Sequence, residues 1–479
     1  MDPERSHPNL ILIVLDTARA DAFEPYGAGI GASPVLGEMA RRGSAIPVAI
    51  ATSNWTMPSH VSMFSGLLPR TIGLARAPQG KRANCRRVLE ENSGRLLASV
   101  LRDAGYETSG VSCNPWISVA GGFATGFDRF VDVKGERKRQ IHEEGTRARM
   151  SWLLEGMLAR VDDGAAQAER ILRGWLAEEP GRPFFWFVNL IECHSPYMPP
   201  RPYNDLSPRI RARVAEEARA HLTLLGIWRA SAGRIEIPPE TLGRMRHLYG
   251  RSILLMDDWI GRLMEDLDRA GILDETLIVV TSDHGENLGE ERLIGHAFSL
   301  DDRLIRVPLV SAGPGALSSN GITSLAELPR MIAEAAGLGS HPWMEDPLPS
   351  GVAVSQYDAL VGTEDDRFTR AVSEWNLDDT GARRISEPAT SATDGRFKLV
   401  RQAREDRLYD LGSDPWERRP FAADGNGRVD AATLAKLRGA VEAHHASGTA
   451  VDHDDGPARA EDQTENAELE ERLRLLGYL

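Results

Sequence analysis

"NLILIVLDTARAD", residues 9–21, carries six consecutive aliphatic residues and then an acid. A strand with one wet face alternates apolar and polar residues. An unbroken apolar run predicts a strand covered on both faces, as in a parallel sheet between helices. Residues 184–191, "FFWFVNLI", and 277–280, "LIVV", have the same character, and "RVPLVSAG" at 306–313 is expected to add another strand. Helical spacing fills the intervals. "GRLLASVLRDAGYE" at 94–107 has a glycine stop, and "RHLYGRSILLMDDWIGRLMEDLDRAG" at 246–271 reads as one long amphipathic helix ending at Gly271. Strand alternating with helix predicts an α/β, doubly wound fold with a largely parallel central sheet.

The chain has 479 residues, enough for one large domain and a smaller one. Arg/Glu/Ala-rich stretches at 135–180 and 205–245 are expected to be helical insertions within a large domain over 1–345. From 346 to 445 the texture changes. "GRFKLVRQAREDRLYDLGSDPWERRP" predicts two short strands and a turn, and so a smaller α+β subdomain. Residues 446–479 are expected to be a polar linker followed by a docking helix.

A formal net charge of −14 argues against a nucleic-acid partner. Three scattered cysteines, Cys85, Cys113 and Cys193, show no metal spacing and fit a reducing compartment. The start, "MDPERSHPNL", has no apolar leader, and no run is long enough to span a bilayer. A cytoplasmic protein with no membrane partner is expected, and nothing in the sequence sets an oligomeric state.

Two of the predicted strands end in acids: Asp16 after the first, and Asp283-His284 after "LIVVTS". The carboxyl ends of parallel strands form the ligand-binding edge of such sheets, so these residues can converge. Two carboxylates and an imidazole suit a divalent metal with open positions for substrate. Taken singly, an acid after a strand also serves as a helix N-cap. Between them in the chain lies "SNWTMPSHVSMFSG", residues 53–66. Pro58 suits a first helical turn and Gly66 a helix end, which puts Thr56 at a helix mouth, where anions are favoured. A plain capping role is the structural alternative for Thr56.

In these segments the sequence resembles the sulfatases of the alkaline phosphatase superfamily. "NLILIVLDTARADAFEPYG" is similar to the family's opening strand and first metal acid. "SNWTMPSHVSMFSGLLPR" is similar to its nucleophile segment, and "HSPYMPP" at 194–200 to its His-x-Pro-Tyr element. "DETLIVVTSDHGENLGEERLIGHAFSLDDRLIRVPLV" resembles its second metal segment. "DGRFKLV", "RLYDLGSDPWE" and "LEERLRLLGYL" resemble its C-terminal part. The resemblance implies an alkaline-phosphatase-like fold and a metal-dependent ester hydrolase.

The departures from the family are specific. The family nucleophile is a Cys or Ser oxidised to formylglycine; the matching residue here is Thr56, whose secondary alcohol cannot give that aldehyde. His60 replaces the motif's arginine, Thr17 the second acid of the opening strand, and His296 the family's lysine. This pattern resembles the threonine-nucleophile branch: phosphodiesterases, nucleotide pyrophosphatases, phosphonate hydrolases and headgroup transferases. The implied reaction is hydrolysis of phosphate mono- or diesters, or phosphonate esters, through a covalent threonine intermediate. Sulfate-ester hydrolysis without formylglycine, and a catalytically silent binding member, are the alternatives.

The expected metal set is Asp16, Thr56, Asp283 and His284, holding one divalent ion (Mn, Zn, Mg or Ca), with a second left open. Thr56, His194 and His296 are the expected catalytic residues, and His60 is expected to bind a small anionic ester substrate.

Overall fold

The three apolar runs lie side by side. In this computed structural model, which describes residues 7–445 except 28, 75–84, 134–144, 179–182, 320, 346–347, 349–350, 359–362, 364–365, 403–404, 423–424 and 426, they form the centre of one sheet. Strand β1 (Asn9–Leu15) pairs in parallel with β6 (Phe184–Leu190) on one side and β7 (Thr276–Thr281) on the other. Four further strands extend the sheet: β2 (Ser44–Ala45), β4 (Glu107–Ser112), β5 (Arg129–Asp132) and β11 (Leu309–Ala312). The order is β2-β11-β7-β1-β6-β4-β5, and β11 runs antiparallel to both of its neighbours.

Each run is apolar throughout because successive side chains enter different layers. Leu10, Leu12 and Val14 pack into one core with Val61 and Phe64 of the Thr56–Ser65 helix. Ile11, Ile13 and Leu15 pack into the other with Ile253, Met256 and Trp259 of the Pro239–Arg269 helix. That helix begins earlier than its sequence pattern suggested, with Pro239 in the first turn, where its missing N–H costs nothing.

"RVPLVSAG" is two strands rather than the one expected. β10 (Arg306–Val307) joins β3 (Val48–Ile50) and β12 (Ile322–Ser324) in a second sheet, while β11 stays in the main one. Pro308 falls at the switch, where a residue without an N–H breaks the ladder. β8 (Asn287–Leu288) and β9 (Ile294–Gly295) make a short ribbon after the Asp283 turn.

Within the stretches expected to be insertions lie the helices Thr146–Leu158, Ala165–Ala177, Pro208–His221 and Leu224–Ser231. At the C-terminal end, β13 (Ala353–Tyr357), β14 (Ala389–Thr393), β15 (Phe397–Gln402) and β16 (Glu405–Asp410) form an antiparallel sheet, with the Ala431–His445 helix packed on it. Two buried cations tie this sheet to the main body. Arg70 binds Asp358 at 2.7 Å, Thr390 Oγ1 at 2.7 Å and the His445 carbonyl at 3.0 Å. Lys398, fully buried, binds Asp302 and Glu417, each at 2.9 Å. The linker and docking helix expected over 446–479 lie outside the described residues. Among the described residues, no helix is long and apolar enough to cross a membrane.

Candidate metal centre and nucleophile

Neighbouring parallel strands deliver both acids to one sheet edge. β1 and β7 pair to Val14 and Thr281, and Asp16 and Asp283 follow just beyond. The chain then turns sharply. Thr17 takes a left-handed φ of 63° and donates its N–H to Asp283 Oδ1 at 3.1 Å. The His284 N–H donates to the same oxygen at 2.9 Å, so one carboxylate oxygen is fixed by the backbone. Asp283 Oδ2 accepts no hydrogen bond among the described residues. Gly285 is required here: a Cβ would collide with the Arg303 carbonyl oxygen. The His284 ring places Nδ1 2.9 Å from the Gly285 carbonyl, which makes Nδ1 the protonated nitrogen and leaves the Nε2 lone pair free for the site.

Asp16, Asp283 and His284 are all fully buried, and their ligand atoms lie within 4.8 Å of one another. Thr56, the first residue of its helix, brings Oγ1 to 3.3 Å from His284 Nε2 and 3.5 Å from Asp16 Oδ2. Burial pushes the Asp283 carboxyl up to about 7, against the pull of the Thr17 and His284 N–H groups and of the His296 charge. Burial, reinforced by His296, pushes His284 down to about 4 and keeps it a neutral donor.

The other predicted histidines fall in two places. His296 packs its ring 4.5 Å from that of His284 and 5.0 Å from that of His194, so both stand beside the cluster. Buried Glu286 contacts His296 Nδ1 at 3.2 Å. Burial opposes charge on His296, but Glu286, Asp16 and Asp283 outweigh it and raise its pKa. His60 instead lies one helical turn beneath Thr56, fully buried. Its Nδ1 donates to the Thr56 carbonyl at 2.9 Å, and its Nε2 receives the Asn189 amide at 3.3 Å. Burial pushes it down to about 3. Both nitrogens are engaged inside the protein, and Nδ1 also lies 3.6 Å from Asp283 Oδ2, so the ring joins the Thr56 helix to the acid cluster.

Asn114, Asn189 and Glu286 were not picked out by sequence reasoning. Asn114 Nδ2 donates to Asp16 Oδ2 at 2.5 Å from the end of β4. Asn189 did carry a signal, as the one polar residue in "FFWFVNL", and Glu286 sits two residues past the metal histidine. Arg19, by contrast, pairs with Asp21 at 2.7 Å and Glu290 at 2.8 Å.

A profile of the sulfatase family matches residues 8–338. The choline-sulfatase of Rhizobium meliloti (strain 1021) is 29% identical over 277 residues, which cover 56% of this chain and 52% of that protein. The multifunctional alkaline phosphatase superfamily protein PehA of Trinickia caryophylli is 29% identical over 170 residues, covering 32% of this chain and 33% of its own. The match thus spans about half of the first relative and a third of the second. Among solved structures, the phosphonate monoester hydrolase of Agrobacterium radiobacter superposes with a TM-score of 0.60 at 21% identity, covering 91% of this chain and 94% of its own. At that identity the likeness establishes the alkaline-phosphatase-like α/β fold with its C-terminal antiparallel sheet. Motif order, metal-ligand cluster and profile match agree, and the chain belongs to the sulfatase family of the alkaline-phosphatase-like superfamily.

Proposed function

We propose that this protein is a metal-dependent hydrolase of phosphate mono- or diesters, or of phosphonate esters, with Thr56 as nucleophile. The observation that carries the reading is the position of Thr56 Oγ1, within 3.5 Å of atoms from two metal-ligand candidates, in a family position where a formylglycine precursor would be Cys or Ser.

The donor set fits a divalent cation. Two buried carboxylates and a neutral imidazole converge, and Asp283 Oδ2 accepts no hydrogen bond among the described residues. Asp16, Asp283 and His284 would hold the ion, with Thr56 facing it. When bound, the ion supplies charge that favours the Thr56 alkoxide and a non-bridging ester oxygen. The imidazole among the donors favours manganese or zinc over calcium.

The chain's own groups supply the rest. Thr56 Oγ1 points its hydroxyl toward Asp16 Oδ2, a carboxylate toward which the proton can leave. Oγ1 attacks phosphorus in line, and the bond to the leaving oxygen breaks. His296, held by Glu286, protonates that oxygen, and His194 beside it receives the anion's charge. Water then gives a proton back to His296 and attacks phosphorus, the bond to Oγ1 breaks, and Thr56 regains its proton from Asp16.

Sulfate-ester hydrolysis is the second reading, favoured by the likeness to choline-sulfatase. A threonine adduct has no aldehyde through which to expel sulfate, so water must attack the central atom. The greater negative charge on a phosphoryl group gives cation and histidines more to stabilise. The test is kcat/KM for matched p-nitrophenyl phosphate, bis-phosphate, phosphonate and sulfate esters with each cation in turn. The proposal expects phosphorus esters to be preferred, and a clear preference for sulfate overturns it.

A further inference from the structure

A second set of cations has no role in the chemistry above. A cleft of about 300 Å³ lies between the catalytic body and the C-terminal sheet, lined by Arg303, Arg306 and Arg396 with Asp21, Tyr26 and Trp416 among its other walls. Arg303 is only 6% exposed. Its Nη2 reaches Asp301 at 2.8 Å, while its Nη1 is buried and makes no hydrogen bond among the described residues. Arg306 repeats the pattern: Nη2 donates to the Pro47 carbonyl at 3.1 Å, and Nε is buried without an acceptor among the described residues. Arg396 lies over the Phe397 ring and 3.9 Å from Asp410.

The acids lining the cleft are already neutralised. Asp21 is bound by Arg19 at 2.7 Å, and Asp302 by Lys398 at 2.9 Å. With Arg303 held by Asp301 and Arg396 beside Asp410, Arg306 is the lining arginine with no acid against it among the described residues, and two buried guanidinium N–H groups make no hydrogen bond among those residues. A buried donor without an acceptor is costly, and a guanidinium fork matches an oxyanion in shape and charge. Trp416, 42% exposed, adds a flat apolar wall on which a ring can lie.

We propose that this cleft binds a sulfate or phosphate group, free or carried on a ring that stacks on Trp416, separately from the metal centre. Arg303 and Arg306 receive the oxyanion and Trp416 receives any ring. The full-length protein is crystallised and soaked with selenate, and with a naphthalenesulfonate in a second arm. The expected result is an anomalous selenium peak within hydrogen-bond reach of Arg303 Nη1 and Arg306 Nε. In solution, Arg306→Met should weaken binding at this site by at least about tenfold, the loss of a charge-assisted hydrogen bond, while metal-centre turnover and melting temperature are retained. Tighter binding of the naphthalenesulfonate, lost in Trp416→Ala, identifies a ring-borne anion; equal binding identifies the free ion. If the variants do not fold, the selenate peak alone decides. No peak in the cleft, or a peak only at the metal centre, overturns the proposal.

Discussion

Thr56 Oγ1 stands 3.3 Å from His284 Nε2, although 228 positions separate the two residues. Neither lies in a strand. Thr56 opens a helix seated on one face of the sheet, and His284 hangs from the turn after β7. Two hydrogen bonds fix the pair. His60 reaches back one helical turn to the Thr56 carbonyl, and the His284 ring is held by the Gly285 carbonyl. The hydroxyl therefore faces the candidate metal ligands before any substrate arrives, which would remove an ordering cost from the proposed reaction.

Replacing that hydroxyl is the simplest perturbation. Thr56→Ala is expected to lower kcat by at least about 10³-fold, as loss of a nucleophile does elsewhere. Thr56→Ser should keep part of the activity. Steady-state kinetics with metal content measured in parallel check both. Parent-like turnover by Thr56→Ala would reduce Thr56 to a helix-capping residue.

Asn114 touches the metal ligands without joining them. Its Nδ2 donates to Asp16 Oδ2 and orients that carboxylate. Asn114→Ala should weaken metal affinity or activity by about 10–100-fold, the usual effect of losing a ligand's support. Competitive metal titration reads the change directly. Unaltered affinity together with unaltered kcat would show that Asp16 needs no such support.

Protonation of Asp283 makes metal binding depend on pH. In the metal-free protein burial raises this carboxyl to about 7, above its unfolded value. Its contribution to stability is thus fully present below the unfolded value, in the ordinary carboxylate range, and is lost as pH rises through about 7. Below about 7 an incoming cation must displace the proton, so apparent affinity should fall as pH is lowered, by up to about tenfold per unit. Calorimetric titration in buffers of different ionisation heat should report proton release on binding at pH 6. An affinity that stays flat between pH 5 and pH 8 would contradict the assignment.

Lys398 carries a structural prediction. Its ammonium is fully buried against Asp302 and Glu417, joining β15 to the catalytic body. Burial opposes its charge, and Asp302 and Glu417 restore it, so its pKa is raised. Burial pushes Glu417 up to about 8, with Lys398 pulling the other way. Lys398→Met leaves two acids without their cation and should cost about 3–5 kcal/mol. Chemical denaturation measures the loss, and a change below 1 kcal/mol would show the clasp to be dispensable.

The strands at the centre of the sheet were legible because both of their faces are apolar; those at the margin were not. β4, "ETSGVS", has no apolar run, and Gly110 leaves room there for the Phe130 ring of β5. Its partners supply what its own side chains lack, and a single sequence does not display that. Pro308 divided one apolar stretch between two sheets, an outcome set by tertiary pairing. At the site, Asp16, Asp283 and His284 were readable because strand ends point to one edge. Asn114 was hidden because its strand was. His60 sits at the right helical position, but only packing showed that its ring bridges the Thr56 carbonyl and the Asn189 amide.

The central claim is a covalent bond between Thr56 and phosphorus, and the stereochemistry of hydrolysis tests it most directly. A phosphorothioate monoester made chiral with two oxygen isotopes is hydrolysed by the full-length, metal-loaded protein in water carrying the third, and the configuration of the released thiophosphate is determined. Two successive in-line displacements, first by Thr56 and then by water, predict net retention. Inversion would mean that water attacks the ester directly, and Thr56 would then not be the nucleophile.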